Sequence, residues 1–284
     1  MAASTEPPAV GDVFCRATLT YAAPPPAPLS GPSGQVEVVV RNARRAHLPG
    51  WSECGFELVR HASDVRDWDD DEELAAVHYP EAEALARRLT GADAALVSDH
   101  VRRSAQPAAE RRQQAPVRLV HSDFAANYAS VARTAYRSVH GRGAAALARN
   151  GLTSADVEAA RRLVVLQLWR NTGPGTMDLP LAFCDARTLR PTEARPFRYT
   201  GYVAGGRAFD ALAIVAPPHP DAHRWYAFAD MTLDEVVAFR TYDTELVERN
   251  AVFFTPHCAI RDPRVEPGRP ARSSVELRVL CVFR

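Results

Sequence analysis

The chain of 284 residues contains no lysine; its 34 basic residues are all arginine. That excludes Schiff-base chemistry, pyridoxal-phosphate anchoring and Walker-type phosphate loops, each of which needs a lysine amine. Any buried anion must be held by guanidinium groups, hydroxyls or backbone donors. Neither sign of charge is in excess, because 34 acidic residues balance the arginines. No nucleic-acid or anionic-membrane partner is therefore expected. No apolar run approaches the ~20 residues of a membrane-spanning helix, and the N-terminus lacks the basic-then-apolar order of a secretory signal. The five cysteines (Cys15, Cys54, Cys184, Cys258, Cys281) are odd in number, widely spread and without a Cys-x-x-Cys pair. A reduced, cytoplasmic protein is expected. Gly-x-Ser-x-Gly, His-Glu-x-x-His and clustered Cys/His zinc motifs are also missing. The stretch 141–146 loosely matches a dinucleotide-binding glycine pattern, but it follows a helix-like segment rather than a strand and is discounted.

What is present divides into three regions. Residues 1–33 are rich in Pro, Ala, Gly and Ser and read as an extended or poorly ordered lead-in. Residues 34–115 read as an α+β portion, with strands over 35–41, 55–60 and 95–103. Its helices are an acidic start at 69–71 and a segment over 80–89 stopped by Gly91. In 116–284, helical periodicity over 127–139 and 154–160 marks an insertion near 124–160. Short runs rich in Val, Phe, Tyr and Leu then recur at 163–169, 179–184, 197–203, 209–215, 225–228, 236–242, 251–255 and 274–283. Many short strands between turn residues imply a sandwich or barrel.

The apolar run 117–120 leads into His121-Ser122-Asp123. Residues two apart on a strand share a face, so His121 and Asp123 can point to a common interior. A second histidine from a distant strand would complete the two-His-one-carboxylate triad of non-haem Fe(II) oxygenases. His257, after an aromatic run and Pro256, is the best third ligand. A histidine after proline is otherwise a turn residue, and His100, His219 and His223 compete. On the last run, Arg272, Ser274, Glu276 and Arg278 share one face, opposite Val275, Leu277 and Val279. Arginines aimed into an interior require an anion there, and a dicarboxylate such as 2-oxoglutarate supplies one. The competing reading is a solvated face, or structural pairing with Glu276. Arg170, ending the strand 163–169, is placed in the same pocket.

The order His-x-Asp, long β region, distal His and Arg-x-Ser resembles the plan of Fe(II)/2-oxoglutarate oxygenases on a double-stranded β-helix. The Arg272–Arg278 spacing is similar to the Arg-x-Asn-x-x-x-Arg strand of AlkB-type demethylases. A closer resemblance runs from about residue 35 to the end. It is to the family that includes the cephamycin 7α-cephem hydroxylase component, the fungal AsaB-like hydroxylase/desaturases and the fungal gibberellin desaturase. The blocks that carry it include Gly55-Phe56-Glu57-Leu58-Val59-Arg60, Asp99-His100-Val101-Arg102-Arg103, Val120-His121-Ser122-Asp123, Leu168-Trp169-Arg170, Leu179-Pro180-Leu181-Ala182-Phe183-Cys184-Asp185, His223-Arg224-Trp225-Tyr226, Pro256-His257 and Ser274-Val275-Glu276-Leu277-Arg278. The chain departs from that family at Gln167, where asparagine is usual, and at Ser273, where an acidic residue is common.

The resemblance implies a mainly β fold with flanking helices. A double-stranded β-helix (jelly-roll, cupin-like) core would carry an N-terminal α+β portion covering its mouth. It implies Fe(II), 2-oxoglutarate and O2, with metal ligands His121, Asp123 and His257. Arg272 and Ser274 would hold the distal carboxylate of the co-substrate and Arg278 would contact it near the iron. Hydrogen abstraction from an unactivated C–H of a specialised metabolite would give hydroxylation, desaturation or oxidative cyclisation. Arg103, Arg170, Trp169, Trp225 and Tyr226 are the substrate-contact candidates, and a carboxylate-bearing small molecule suits the arginines. The competing functions are a non-catalytic β-barrel accessory subunit and an iron oxidase that does not use 2-oxoglutarate. The intact ligand set weighs against the first, and Arg272 with Ser274 against the second.

Overall fold

A computed structural model describes residues 12–25, 34–103, 116–137, 141–199, 209–266 and 271–284. In chain order its strands are β1 Val13–Tyr21, β2 Gly34–Asn42, β3 Phe56–Arg60, β4 Ala94–Arg103, β5 His121–Ser122, β6 Arg162–Asn171 and β7 Leu181–Cys184. They continue with β8 Ala194–Tyr199, β9 Phe209–Ile214, β10 Trp225–Ala227, β11 Glu235–Asp243, β12 His257–Ala259 and β13 Ser274–Phe283. An eight-stranded sheet has the order β1-β2-β10-β7-β12-β5-β9-β8, and a five-stranded sheet the order β3-β11-β6-β13-β4. The chain passes between the sheets at β2→β3, β4→β5, β5→β6, β6→β7, β10→β11, β11→β12 and β12→β13, the interleaving of a jelly-roll. Bridges from Thr20 to Leu119 and from Ala22 to Val215 bring β1 back to the far side of the eight-stranded sheet, which therefore curls on itself.

The two faces of the five-stranded sheet follow from strict alternation. On β6, Val164, Leu166 and Leu168 turn outward, as do Leu277, Val279 and Cys281 on β13. They form one apolar layer with Leu85 and Ala86 of the helix Tyr79–Thr90. That helix has Pro80 in its first turn and stops at Gly91, whose φ of 70° needs glycine. The inward residues of the same strands face the eight-stranded sheet. They are apolar at one end (Leu163, Val165, Leu280, Val282) and, apart from Trp169, polar from Gln167 and Arg278 onward.

Several expectations are corrected. Residues 13–21 are not part of a lead-in but form β1, paired along its length with β2; residues 1–11 and 26–33 lie outside the described residues. The portion 34–115 is not a separate cap on a core 116–284, because β2 joins the eight-stranded sheet and β3 and β4 the five-stranded one. The run 117–123 pairs as a strand only at His121–Ser122, since its other backbone groups are divided among Thr20, Ile214 and Ala259. The aromatic run 251–255 is not a strand. Asn250 turns through φ 51°, Pro256 has no N–H to give, and pairing begins at His257. A helix over Arg142–Arg149 occupies the glycine pattern. Of the run 197–203, residues 200–203 lie outside the described residues.

Leu19 on β1 is 1% exposed. Leu19→Ala should cost about 2–5 kcal/mol, as buried leucine truncations do, read as a lowered urea midpoint. An unchanged midpoint would return residues 13–21 to the role of lead-in.

Candidate metal centre

His121 on β5 and His257 on β12 are directly opposite in an antiparallel pair, which sets their Cβ atoms about 5 Å apart. Their rings lie 4.5 Å apart between centroids. Asp123 follows β5 by one residue, and its Oδ1 is 3.6 Å from His121 Nε2. One ligand atom from each of His121, Asp123 and His257 falls within 4.8 Å of the others. The His121 and Asp123 side chains are 12% and 11% exposed, and His257 is buried.

The backbone sets the tautomers. His121 Nδ1 lies 2.8 Å from Leu119 O, and His257 Nδ1 3.1 Å from Thr255 O. A carbonyl only accepts, so both Nδ1 atoms carry the proton and both Nε2 atoms present a lone pair. Thr255 is itself held by its hydroxyl, which donates to Gly55 O at 2.8 Å. At Gly55 φ is 97°, and a Cβ there would strike the Thr255 hydroxyl; glycine is required.

Charge is arranged to suit a cation. Burial, and then His121, push the His257 imidazole down to about 3, so it stays neutral as a ligand must. Burial works against charge on Asp123. Even so, the Arg278 guanidinium, then His121 and His257, hold its carboxyl well below the usual carboxylate range. Oδ2 of Asp123 accepts from Gln167 Nε2 at 2.7 Å, Arg278 Nε at 3.0 Å and Arg278 Nη2 at 2.9 Å. Gln167 and Arg278 are cross-strand partners, and Phe239 pairs with Gln167 on the other side. The row Arg278–Gln167–Phe239–Phe56 thus faces the row His121–His257–Phe183–Tyr226 of the opposite sheet. Phe239 lies 4.9 Å from the His257 ring, and Phe183 stacks on Phe56 at 5.4 Å.

Two imidazoles and one carboxylate converging from one side fit a divalent transition metal with positions left open. Two buried atoms in the same interior have no partner among the described residues: Gln167 Oε1, an acceptor, and Trp169 Nε1, a donor. Unpaired polar atoms are costly in a protein core, and here they suit polar ligands beside the metal.

The structure places the other candidates unevenly. Arg272 Nε donates to Ser274 Oγ at 3.0 Å, and the guanidinium lies 5.1 Å from the Trp169 ring. Arg103 pairs in register with Ser274, so it faces the same interior, and both line a cavity of about 60 Å³ with Thr172 and Ser273. Tyr226 faces Phe56 at 5.9 Å. Two candidates are corrected. Arg170 follows Trp169 and points to the opposite face, where it donates to Leu233 O, to His61 O at 2.9 Å and to His61 Nδ1 at 2.7 Å. Trp225 precedes Tyr226 and turns away likewise, its indole donating to Tyr21 Oη at 2.9 Å. Gln167, expected as a departure that could alter the pocket without touching the ligands, bonds to Asp123 itself. Its signal was a lone polar residue, in phase with Trp169, inside an otherwise apolar strand.

A family profile described as oxidoreductase/YMDC permease-like domain matches residues 20–282. The chain belongs to this family. No helix among the described residues is long and apolar enough to cross a membrane. The chain is similar to the alpha-ketoglutarate-dependent dioxygenase phiK of a fungal species, at 26% identity over 81% of this chain and 78% of that one. It is 25% identical to the Fe(II)/2-oxoglutarate-dependent dioxygenase nvfI of Aspergillus novofumigatus over 75% and 68%. To the hydroxylase/desaturase asaB of Aspergillus flavus it is 29% identical over 49% and 64%. Its fold is that of the iron and alpha-ketoglutarate-dependent endoperoxidase NvfI, with a TM-score of 0.74 at 20% identity over 95% of this chain and 98% of that one. The jelly-roll expectation is thereby met.

Outside the centre, burial and then Arg170 push His61 down to about 4 from 6.5. Between those values the unfolded chain binds the proton and the folded protein does not, so stability falls as pH falls. Urea midpoints should decline from pH 7 to pH 4.5, and less steeply in His61→Asn. Equal slopes would remove His61 as a cause.

Proposed function

We propose that His121, Asp123 and His257 hold the Fe(II) of a 2-oxoglutarate-dependent oxygenase acting on a carboxylate-bearing small molecule of specialised metabolism. The observation that carries this is the three-ligand cluster whose two Nδ1 protons are both tied to carbonyls. The named relatives are enzymes of this reaction class, which favours it over the accessory-subunit reading. Bound Fe(II) supplies O2 activation coupled to decarboxylation of 2-oxoglutarate, and with it cleavage of an unactivated C–H bond.

The chain's own residues orient and enclose. Arg272, with Ser274 beside it, is the anchor for the distal carboxylate, and guanidinium suits that fork. Arg278 is engaged on Asp123, so it serves the metal ligand rather than the co-substrate. Phe183, Phe239 and Phe56 dry the histidine side of the space, which keeps water from a reactive oxidant. Arg103, Trp169 and Tyr226 are left as substrate contacts. All five cysteines are free and buried, which fits a reduced, cytoplasmic setting.

Anaerobic addition of Fe(II) and then 2-oxoglutarate should raise a visible charge-transfer band that His121→Ala abolishes. Iron binding without the band would favour an oxidase that does not use 2-oxoglutarate. Arg272→Ala should raise the 2-oxoglutarate concentration for half-maximal band at least ~30-fold, since truncating one side of a buried charge pair costs about 2–5 kcal/mol. An unchanged titration would move the anchor elsewhere.

A further inference from the structure

Gln167 does something that the reaction class does not itself require. The inference rests on the iron-site reading above. Gln167 is fully buried on β6, and its Nε2 has two acceptors, Asp123 Oδ2 at 2.7 Å and Thr241 Oγ1 at 3.3 Å. Thr241 spends its own hydroxyl proton on Val165 O at 3.5 Å, so toward Gln167 it can only accept. A carboxylate and a committed hydroxyl both need the amide nitrogen, which fixes the amide's orientation. The register shift between Arg240 and Tyr242, where β11 runs beside β6, brings Thr241 under the amide, as bulges near active sites re-aim side chains.

Gln167 and Arg278 both donate to Oδ2 and, by the bonds shown, leave Oδ1 on the imidazole side, 3.6 Å from His121 Nε2. We propose that Gln167 is a positioning residue that, with Arg278, occupies Oδ2 so that Asp123 offers the metal one oxygen only. A carboxylate free to turn can ligate through both oxygens and fill a position the reactants need. Thr241 acts through Gln167 by holding the amide. Gln167 Oε1, with no partner among the described residues, is then turned away from the carboxylate, available to a ligand donor.

The test uses Co(II) alone as the probe, with the full chain and no co-substrate. Gln167→Met keeps the length and removes both amide groups. It should bind Co(II) about tenfold more weakly, the scale on which a partner of a metal ligand acts, with a changed visible d–d band. Wild-type affinity and an unchanged band in folded Gln167→Met would overturn the proposal. Thr241→Val should shift both readouts the same way by less, and in Gln167→Met it should add nothing. Additive losses would overturn the link between the two residues. If Gln167→Met does not fold, Thr241→Val carries the test, and wild-type Co(II) behaviour there overturns the proposal. The metal reading fails separately, by wild-type protein that does not bind Co(II) or by His121→Ala that binds it equally.

Discussion

A carboxylate buried against two imidazoles is tolerable only because the opposite sheet brings donors to it. Without them, burial would drive Asp123 toward its neutral form, and a neutral carboxyl is a poor metal ligand. Arg278 and Gln167 reverse that, and they do so from one oxygen. The arrangement joins the sheets electrostatically at the level where they must stay apart to admit reactants. Removing either donor from a buried carboxylate costs more than the bond's net worth, because the charge stays behind.

That His121, Asp123 and His257 would meet is legible in the sequence. His121 and Asp123 share a face by alternation, and the late His257 and the Arg272–Ser274 pair stand in the order the chemistry needs. What a linear reading handled badly was parity at adjacent positions. Trp169 and Arg170 cannot both face one interior, nor can Trp225 and Tyr226, since neighbours on a strand point oppositely. Choosing between them needs an in-phase reference. Gln167 and Leu163 supply it for β6, but only once Asp123 is seen to reach Gln167 from another sheet.

Composition misled at the N-terminus. The proline and alanine around 24–28 gave the whole stretch 1–33 a disordered character. Inside it, Cys15, Ala17, Leu19 and Tyr21 alternate with Arg16, Thr18 and Thr20, a half-buried strand by pattern. Short irregular pairing was equally hidden: β5 has two residues and β12 three. Segments that short carry almost no periodicity, and they take their conformation from the longer strands around them.

The dependence of the centre on those longer strands is quantitative in register, not in area. Arg278 reaches Asp123 because it sits opposite Gln167. A slip of β13 by one residue would present Leu277 or Val279 in its place, since the side-chain period is two. The inner face opposes such a slip, because Asp123 would lose Arg278. The outer face opposes it too: Leu277, Val279 and Cys281 pack with Leu166 and Leu168 beneath Leu85 and Ala86 of the helix Tyr79–Thr90. Exchanging that apolar layer for Arg278 and Glu276 would bury two charges against Leu85, Ala86 and their apolar neighbours. The helix therefore contributes to the His121–Asp123–His257 cluster without touching it, by favouring the one register that brings Arg278 to Asp123.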